Sequence, residues 1–362
     1  MSYILAILVF GLLIFVHELG HFLVAKLSGI AVLQFTIGFG PALWKKNIGG
    51  TVYALRALPL GGAVMMQGEG EDETEVLLTG KTAEAEAAEE EMPAPKGISF
   101  TEASLLKRFL VTIAGASMNL IAGVLILFIL MVPANYCIEP TLDTFMEGFA
   151  YSGENGFQVG DKLVKINEFV IFTSGDVSTA LALGAGEPFD FVIERDGKRI
   201  RLEDMPLEAK IYDEASKSYK YGFNFTVAEM DLWDKVTYSG KTAMTYLQSA
   251  FASIRMLING QASAGDMIGT VGIANEISNA AKQSMRTMWN FVAFISINLA
   301  FVNLLPIPAL DGGKMLFFLI ELVRGKPVDP KYEGAVNLVG MALILVLFVF
   351  ITYQDIVRLI GG

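Results

Sequence analysis

Four stretches of this chain are apolar for long enough to cross a bilayer, and they divide everything between them. They run from about Tyr3 to Ala25, Phe109 to Val132, Met288 to Leu305 and Ala335 to Ile351. A helix rises about 1.5 Å per residue, so about 20 residues span a hydrocarbon core of about 30 Å. Lys107 and Arg108 mark the edge before the second stretch. We name the side on which the first span starts face A and the side it reaches face B.

Between the spans the pattern changes. In residues 31–67, Val32–Ile37 and Thr51–Arg56 have the look of strands, with turn signals at Gly38-Phe39-Gly40-Pro41 and Asn47-Ile48-Gly49-Gly50. The region is too apolar for a plain surface hairpin, so a sheet dipping toward the membrane is expected, its backbone polar groups paired within protein. Residues 68–104 begin as an acidic, aromatic-free linker. Glu69, Glu71, Asp72, Glu73 and Glu75 lead to Glu84, Glu86, Glu89, Glu90 and Glu91, then Pro93 and Pro95. Residues 135–228 read as a soluble insertion on face A: a turn and strand at Gly160–Asn167, a helix at Ser174–Leu183, and a hairpin at Phe189–Arg195, Asp196-Gly197 and Lys198–Leu202. In residues 229–282, Trp233, Val236, Met244, Leu247, Phe251, Ile254 and Leu257 recur at helical spacing, which predicts a helix lying on face A. The remaining blocks are 1–30, 105–134, 283–313 and 314–362, each built on one span.

Composition agrees. Of 362 residues 53% are hydrophobic, above the share usual in a soluble domain, and mean hydropathy is +0.50. The net charge of −11 argues against a nucleic-acid partner. The single cysteine, Cys137, excludes an internal disulfide. The first apolar segment has no basic flank or small-residue cleavage site, so it reads as a retained span rather than a signal peptide.

The chemistry is concentrated at Val16-His17-Glu18-Leu19-Gly20-His21-Phe22, within the first span. The chain's two histidines, His17 and His21, are both here. Four apart on a helix, they share one face and can share one Zn²⁺, with Glu18 placed to take a proton from water that the metal acidifies. Three ionisable groups in an apolar span are costly unless they have a common task.

Depth supplies a third ligand. His17 is about 21 Å from face A by helical rise, hence about 9 Å from face B. The third span also runs from A to B and ends in Asn303-Leu304-Leu305-Pro306-Ile307-Pro308-Ala309-Leu310-Asp311-Gly312-Gly313. Asp311 therefore reaches the level of the histidines, and with no third histidine zinc needs a carboxylate.

These motifs resemble the site-2 proteases, intramembrane zinc metalloproteases, in their bacterial branch with a PDZ insertion. His17–Phe22 matches H-E-L-G-H-F, Asn303–Gly313 matches N-x-L-P-x-P-x-L-D-G-G, and Ile37–Pro41 and Leu58–Gly62 match that family's membrane-re-entrant β-loop. Val271-Gly272-Ile273 resembles the segment before its third span. The insertion is similar to a PDZ domain through its G-D-x-apolar-V-x-I-N pattern at Gly160–Asn167, with Gly148-Phe149 as candidate ligand-carboxylate loop. Departures are Ala116 and Thr270 where prolines are usual, one PDZ-like unit rather than two, and the long acidic linker.

The expected fold is thus a polytopic α-helical membrane protein of about four transmembrane helices, with a membrane-associated β-hairpin or sheet and an inserted PDZ-like α+β domain. The resemblance implies one Zn²⁺ per chain on His17, His21 and Asp311, with Glu18 as general base. It also implies that Asn119, Asn303, Pro306 and Pro308 line the site or hold substrate. Tyr53, Gly61 and Gly62 belong to the β-region expected to clamp an extended substrate. Implied partners are the lipid bilayer and single-pass membrane proteins or remnant signal peptides. The implied location is a bacterial inner membrane, with the site near the cytoplasmic face and the PDZ-like domain outside. Two rival functions make other demands. A transporter calls for carboxylates over several spans and an internal repeat, and the sequence has neither. An inactive membrane-segment chaperone usually lacks Glu18 or a ligand, and all are present.

Overall fold

The computed structural model describes residues 2–69, 95–184, 187–211, 219–260 and 268–361. It divides into two units, residues 1–126 with 254–362, and residues 127–253. Most of the acidic run, residues 70–94, and with it the helix considered over Ala83–Glu91, lies outside the described residues.

In the first unit, α1 (Ser2–Leu27) is the first span. It stops where Gly29 takes a left-handed φ of 74° and Ile30 N–H turns back to the Ala25 carbonyl. Lys26 in the last turn complements the helix dipole and donates to Thr51 Oγ1 at 2.7 Å, tying the span to the sheet.

That sheet consists of β1 (Val32–Ile48) and β2 (Thr51–Met66), joined through Gly49 and Gly50 with φ of 63° and 87°. Each strand pairs twice. Val32↔Met66 to Ile37↔Gly62, and Ala42↔Arg56 to Ile48↔Thr51, run antiparallel. Between them Gln34↔Val52 to Ile37↔Leu55 rise together, so the two strands lie side by side in the same sense there. The segments are therefore ordered 62–66, 32–37, 51–55, 42–48. The turn expected at Gly38-Phe39-Gly40-Pro41 is instead the bend at which β1 changes partner. Gly38, at φ 87°, permits it: a β-carbon there would strike the Leu58 carbonyl.

Helix α2 (Leu105–Met131) is the second span and leaves this unit after Ile126. Residues 229–282, expected as one amphipathic helix and connector, hold two: α4 (Leu232–Ile258) and α5 (Thr270–Gln283). Then come α6 (Met285–Asn303), α7 (Asp311–Arg324) and α8 (Pro330–Gly361). Among the described residues, helices α1, α2, α6 and α8 are the four long and apolar enough to cross a membrane. Two clusters fix the bundle. Ala6, Val9 and Leu13 of α1 pack with Ala274, Ile277 and Ala280 of α5 and Met288 and Val292 of α6. Ala25, Val32 and Met66 pack with Val111 of α2 and Phe318 of α7.

The second unit is a six-stranded sheet in the order β10-β3-β4-β6-β7, with β5 beside β4. The strands are β3 (Tyr136–Phe145), β4 (Lys162–Ile166), β5 (Phe169–Val170), β6 (Phe189–Arg195), β7 (Lys198–Met205) and β10 (Phe223–Glu229). A small ladder of β8 (Lys210–Ile211) and β9 (Tyr219–Lys220) stands apart. Helix α3 (Ser174–Leu183) covers a core of Phe157, Phe189, Phe191, Leu163 and Ile193. The Asp196-Gly197 turn has φ of 50° and 73°, as a tight hairpin requires. Fully buried Asp161 accepts from Arg195 Nε and Nη2, both at 2.7 Å, and from the Gln158 N–H at 2.8 Å. Phe149 does not present an open loop: it stacks on Phe145 at 5.1 Å and lies in the core, because a ring that size is stabilised by burial. Helix α4 contacts the sheet through its small and polar face. Gln248 both accepts the Val170 N–H and donates to the Val170 carbonyl, while Trp233, Met244 and Phe251 point outward.

Candidate metal centre

The i, i+4 spacing in α1 stacks the His17 and His21 rings edge to face, 4.8 Å apart. Their Nε2 atoms are 3.2 Å apart. Asp311 Oδ2, from the first turn of α7, is 3.3 Å from His17 Nε2 and 3.4 Å from His21 Nε2. Ligands about 2.0–2.1 Å from a tetrahedral zinc stand about 3.3–3.4 Å from one another. The three donors thus already mark one face of such a tetrahedron, and they form the one metal-capable cluster of this kind among the described residues. Asp311 Oδ2 has no hydrogen-bond donor. The donor set fits zinc in number, type and spacing.

The surroundings set the tautomers. His21 Nδ1 is 2.8 Å from the Val111 carbonyl, so Nδ1 carries the proton and Nε2 is bare. His17 Nδ1 lies 3.4 Å from the amide nitrogens of both Asn119 and Asn303. A bare His17 Nε2 puts the proton on Nδ1 and calls for an acceptor. Rotating the Asn119 amide about its own axis supplies one, because its buried Oδ1 has no partner as placed, and amide orientation is an assignment. Asn119 is itself fixed from α6, whose Ser296 hydroxyl donates to the Asn119 carbonyl at 2.7 Å.

Two glycines make room. A β-carbon at Gly115 of α2 would collide with His21 Nε2 and lie 2.8 Å from His17 Cε1. One at Gly62 would lie 2.8 Å from Glu18 Cγ and 3.1 Å from the Thr36 carbonyl oxygen. Glu18 therefore lies directly against the outer segment of the sheet. Beyond it, Lys314, one turn after Asp311, donates to Glu69 Oε1 at 2.7 Å, linking α7 to the residues just after β2.

The expected site residues divide. His17, Glu18, His21, Asp311, Asn119, Asn303 and Gly62 converge. Gly61 adjoins them with φ of 117°. Pro306 is exposed in the loop before α7, and Pro308 rests against Gly340 of α8. Tyr53 is elsewhere: its ring packs on Phe22 and Phe35, and its strand segment is paired with Phe35 on one side and Lys46 on the other. A strand added at Thr51–Leu55 has no vacant flank, so a clamp at Tyr53 is not open. Among the described residues, Gly62–Met66 pairs on one side only, with 32–37. In Gly115-Ala116-Ser117-Met118-Asn119 the sequence draws attention to Ala116 and Asn119, while Gly115 shows only as one of a run of small residues. Val111, acting through its carbonyl, leaves no signal in side-chain identity.

Known proteins carry the same arrangement of sequence. The model of peptidase family M50 matches residues 5–347. A protein named as a zinc metalloprotease in Clostridium acetobutylicum is 33% identical over 355 residues, covering 98% of this chain and 97% of that protein. The regulator of sigma-W protease RasP of Bacillus subtilis is 30% identical over 417 residues, covering 98% and 97%. The zinc metalloprotease RasP of Geobacillus kaustophilus is 30% identical over 426 residues, with the same coverage.

Proposed function

From the premise that this chain belongs to peptidase family M50 and is an intramembrane zinc metalloprotease of the site-2 type, we propose that His17, His21 and Asp311 hold the zinc and that Glu18 is its general base. The observation that carries this assignment is the set of donor separations, 3.2, 3.3 and 3.4 Å, at the edge length of a zinc tetrahedron. When bound, zinc would polarise the scissile carbonyl and lower the pKa of water in the site to about 7. Glu18 takes the proton from the attacking water on its carboxylate and returns it to the leaving amide nitrogen. Asn119 and Asn303 orient His17 and border the substrate path, with Pro306 and Pro308 shaping the loop beside it. The buried surroundings keep bulk water from the reacting carbonyl.

A transmembrane substrate arrives helical, its carbonyls engaged in i→i−4 bonds. Opening it in lipid leaves backbone groups unpaired at several kcal/mol each. The vacant flank of Gly62–Met66, lying against Glu18, supplies replacement partners by strand addition, with Gly61 and Gly62 allowing close approach. Substrates are single-pass membrane proteins or signal-peptide remnants with helix-weak residues near the cut.

Lys26, Lys45, Lys46, Lys107, Arg108, Lys314, Arg324 and Lys326 gather toward face B, against Lys282, Arg286 and Arg358 toward face A. By the positive-inside rule face B is cytoplasmic in a bacterial inner membrane. The PDZ-like insertion is then extracytoplasmic, where it filters substrates by size or by peptide.

Glu18→Gln tests the assignment. The purified variant keeps its zinc by elemental analysis and loses cleavage of a transmembrane substrate. Near-native turnover removes Glu18 from the mechanism, and loss of zinc makes it a ligand rather than a base.

A further inference from the structure

The loop that delivers Asp311 contains a residue in an unfavourable conformation. Ala309 has φ of 71°, a left-handed region that a residue with a β-carbon holds only when its surroundings enforce it. Downstream the loop is bound to the start of α7, with the Leu310 N–H to the Ile307 carbonyl at 3.2 Å and the Gly313 N–H to the Leu310 carbonyl at 3.0 Å. Ala309 itself is held from the fourth span: its N–H donates to Asn337 Oδ1 of α8 at 3.2 Å. One turn on, and on the same face of α8, is Gly340. A β-carbon there would lie 2.5 Å from Pro308 Cβ and 2.7 Å from the Pro308 oxygen, so the backbone of α8 rests on the loop. The contact stands out because, of residues 331–358 in that span, Gly340 and Asp355 are the buried ones. A helix with so little protein contact still grips the two residues that precede Leu310 and Asp311.

We propose that Asn337 is a positioning residue for the metal centre, holding Ala309 left-handed, with Gly340 as its seat, and so setting where Asp311 presents its carboxylate. This rests on the reading of Asp311 as a zinc ligand. Metal–ligand lengths tolerate only about 0.2 Å, so relaxation of Ala309 two residues upstream is enough to matter.

The test measures zinc retention by the full-length protein in detergent against a competing chelator, together with the visible spectrum of the cobalt-substituted protein as a report on coordination. Asn337→Leu, which removes the acceptor and suits lipid, loses zinc about tenfold more readily, the low end for residues that support metal ligands, and changes the cobalt spectrum. Asn337→Asp keeps an acceptor oxygen and holds zinc like the native chain. Glycine takes a positive φ without strain, so Ala309→Gly restores retention in the Asn337→Leu background. Leu343→Ala, on an exposed position of the same helix, has no effect. The proposal is overturned if Asn337→Leu retains zinc as the native chain does, or if Ala309→Gly recovers nothing in the double variant. If Asn337→Leu fails to fold, the double variant decides by the same criterion. A native chain that takes up no zinc overturns instead the ligand assignment on which the proposal stands.

Discussion

Replacing Gly115 by alanine should empty the metal centre without unfolding the protein. The added β-carbon would lie 2.7 Å from His21 Cε1 and 2.8 Å from His17 Cε1, and closer still to His21 Nε2. Carbon atoms in contact settle at about 3.5 Å or more, so each ring must give by about 0.7–0.8 Å. Zinc sites tolerate about 0.2 Å in ligand distance. Separating the helices to absorb the difference would open a close contact. One residue away, a β-carbon at Gly20 would strike the Ala114 carbonyl oxygen, so α1 and α2 already meet backbone to backbone. Glycine to alanine in a helix interior otherwise stabilises by about 1 kcal/mol. Zinc affinity should therefore fall by about 100-fold or more, the upper end for a supporting residue, while the unfolding temperature, compared with zinc stripped from both proteins, holds or rises. Zinc per chain by elemental analysis, cleavage of a transmembrane substrate and thermal unfolding by circular dichroism measure the three quantities. A Gly115→Ala protein with full zinc and native turnover would refute the packing of both rings on that glycine.

Four further substitutions or deletions have expected outcomes. Asp311→Ala should leave two histidines and no carboxylate, and its zinc content should drop below half occupancy; full occupancy points to another ligand. Proline at Ala63 or Val64, whichever directs its N–H outward, should impair cleavage with zinc retained, because it removes a donor from the vacant flank of the sheet; if both prolines are harmless, the substrate does not add there. Deleting residues 140–226 should let substrates with bulky external domains be cut, and unchanged cleavage makes the insertion a spacer. Within that insertion, Arg195→Ala leaves the fully buried Asp161 carboxylate without its charged partner. That destabilises the unit by about 3–5 kcal/mol, seen as rapid proteolysis between 127 and 253.

The convergence of His17, His21 and Asp311 is legible in the sequence because these are rare residues in an apolar setting. Two histidines one turn apart, and a carboxylate at the computed depth after the third span, left little freedom. The β-region was less legible. Its strands show in the sequence, and the clamp expected there falls on Thr51–Leu58 or its neighbour, of which 51–55 is paired on both sides. Alternation reports which face a residue occupies, not which strand stands beside it, and the double pairing of β1 and β2 encloses Tyr53. The same limit applies to Phe149, whose position next to Gly148 suggested an exposed loop while its size favoured the core. Gly115 and Gly340 leave no such signal, because their contribution is an absence of atoms, visible only when a neighbour fills the space. The fourth span also runs longer than its most apolar part, to Gly361, because Asp355 near its end finds partners in the Gly269 and Gly272 N–H groups.

The three candidate metal donors, His17, His21 and Asp311, lie near opposite ends of the chain, and that spacing has a meaning in time. The sheet closes on partners no farther apart than Val32 and Met66, so it and the histidine-bearing span are complete early in synthesis. Asp311 follows only after nearly the whole chain. At about 5–20 residues per second, the nascent protein carries His17, Glu18 and His21 in the bilayer for about 15–60 s without the carboxylate that finishes the centre. On the reading of Asp311 as a ligand, the donor set is complete once the third span has been made and while α8 has still to follow.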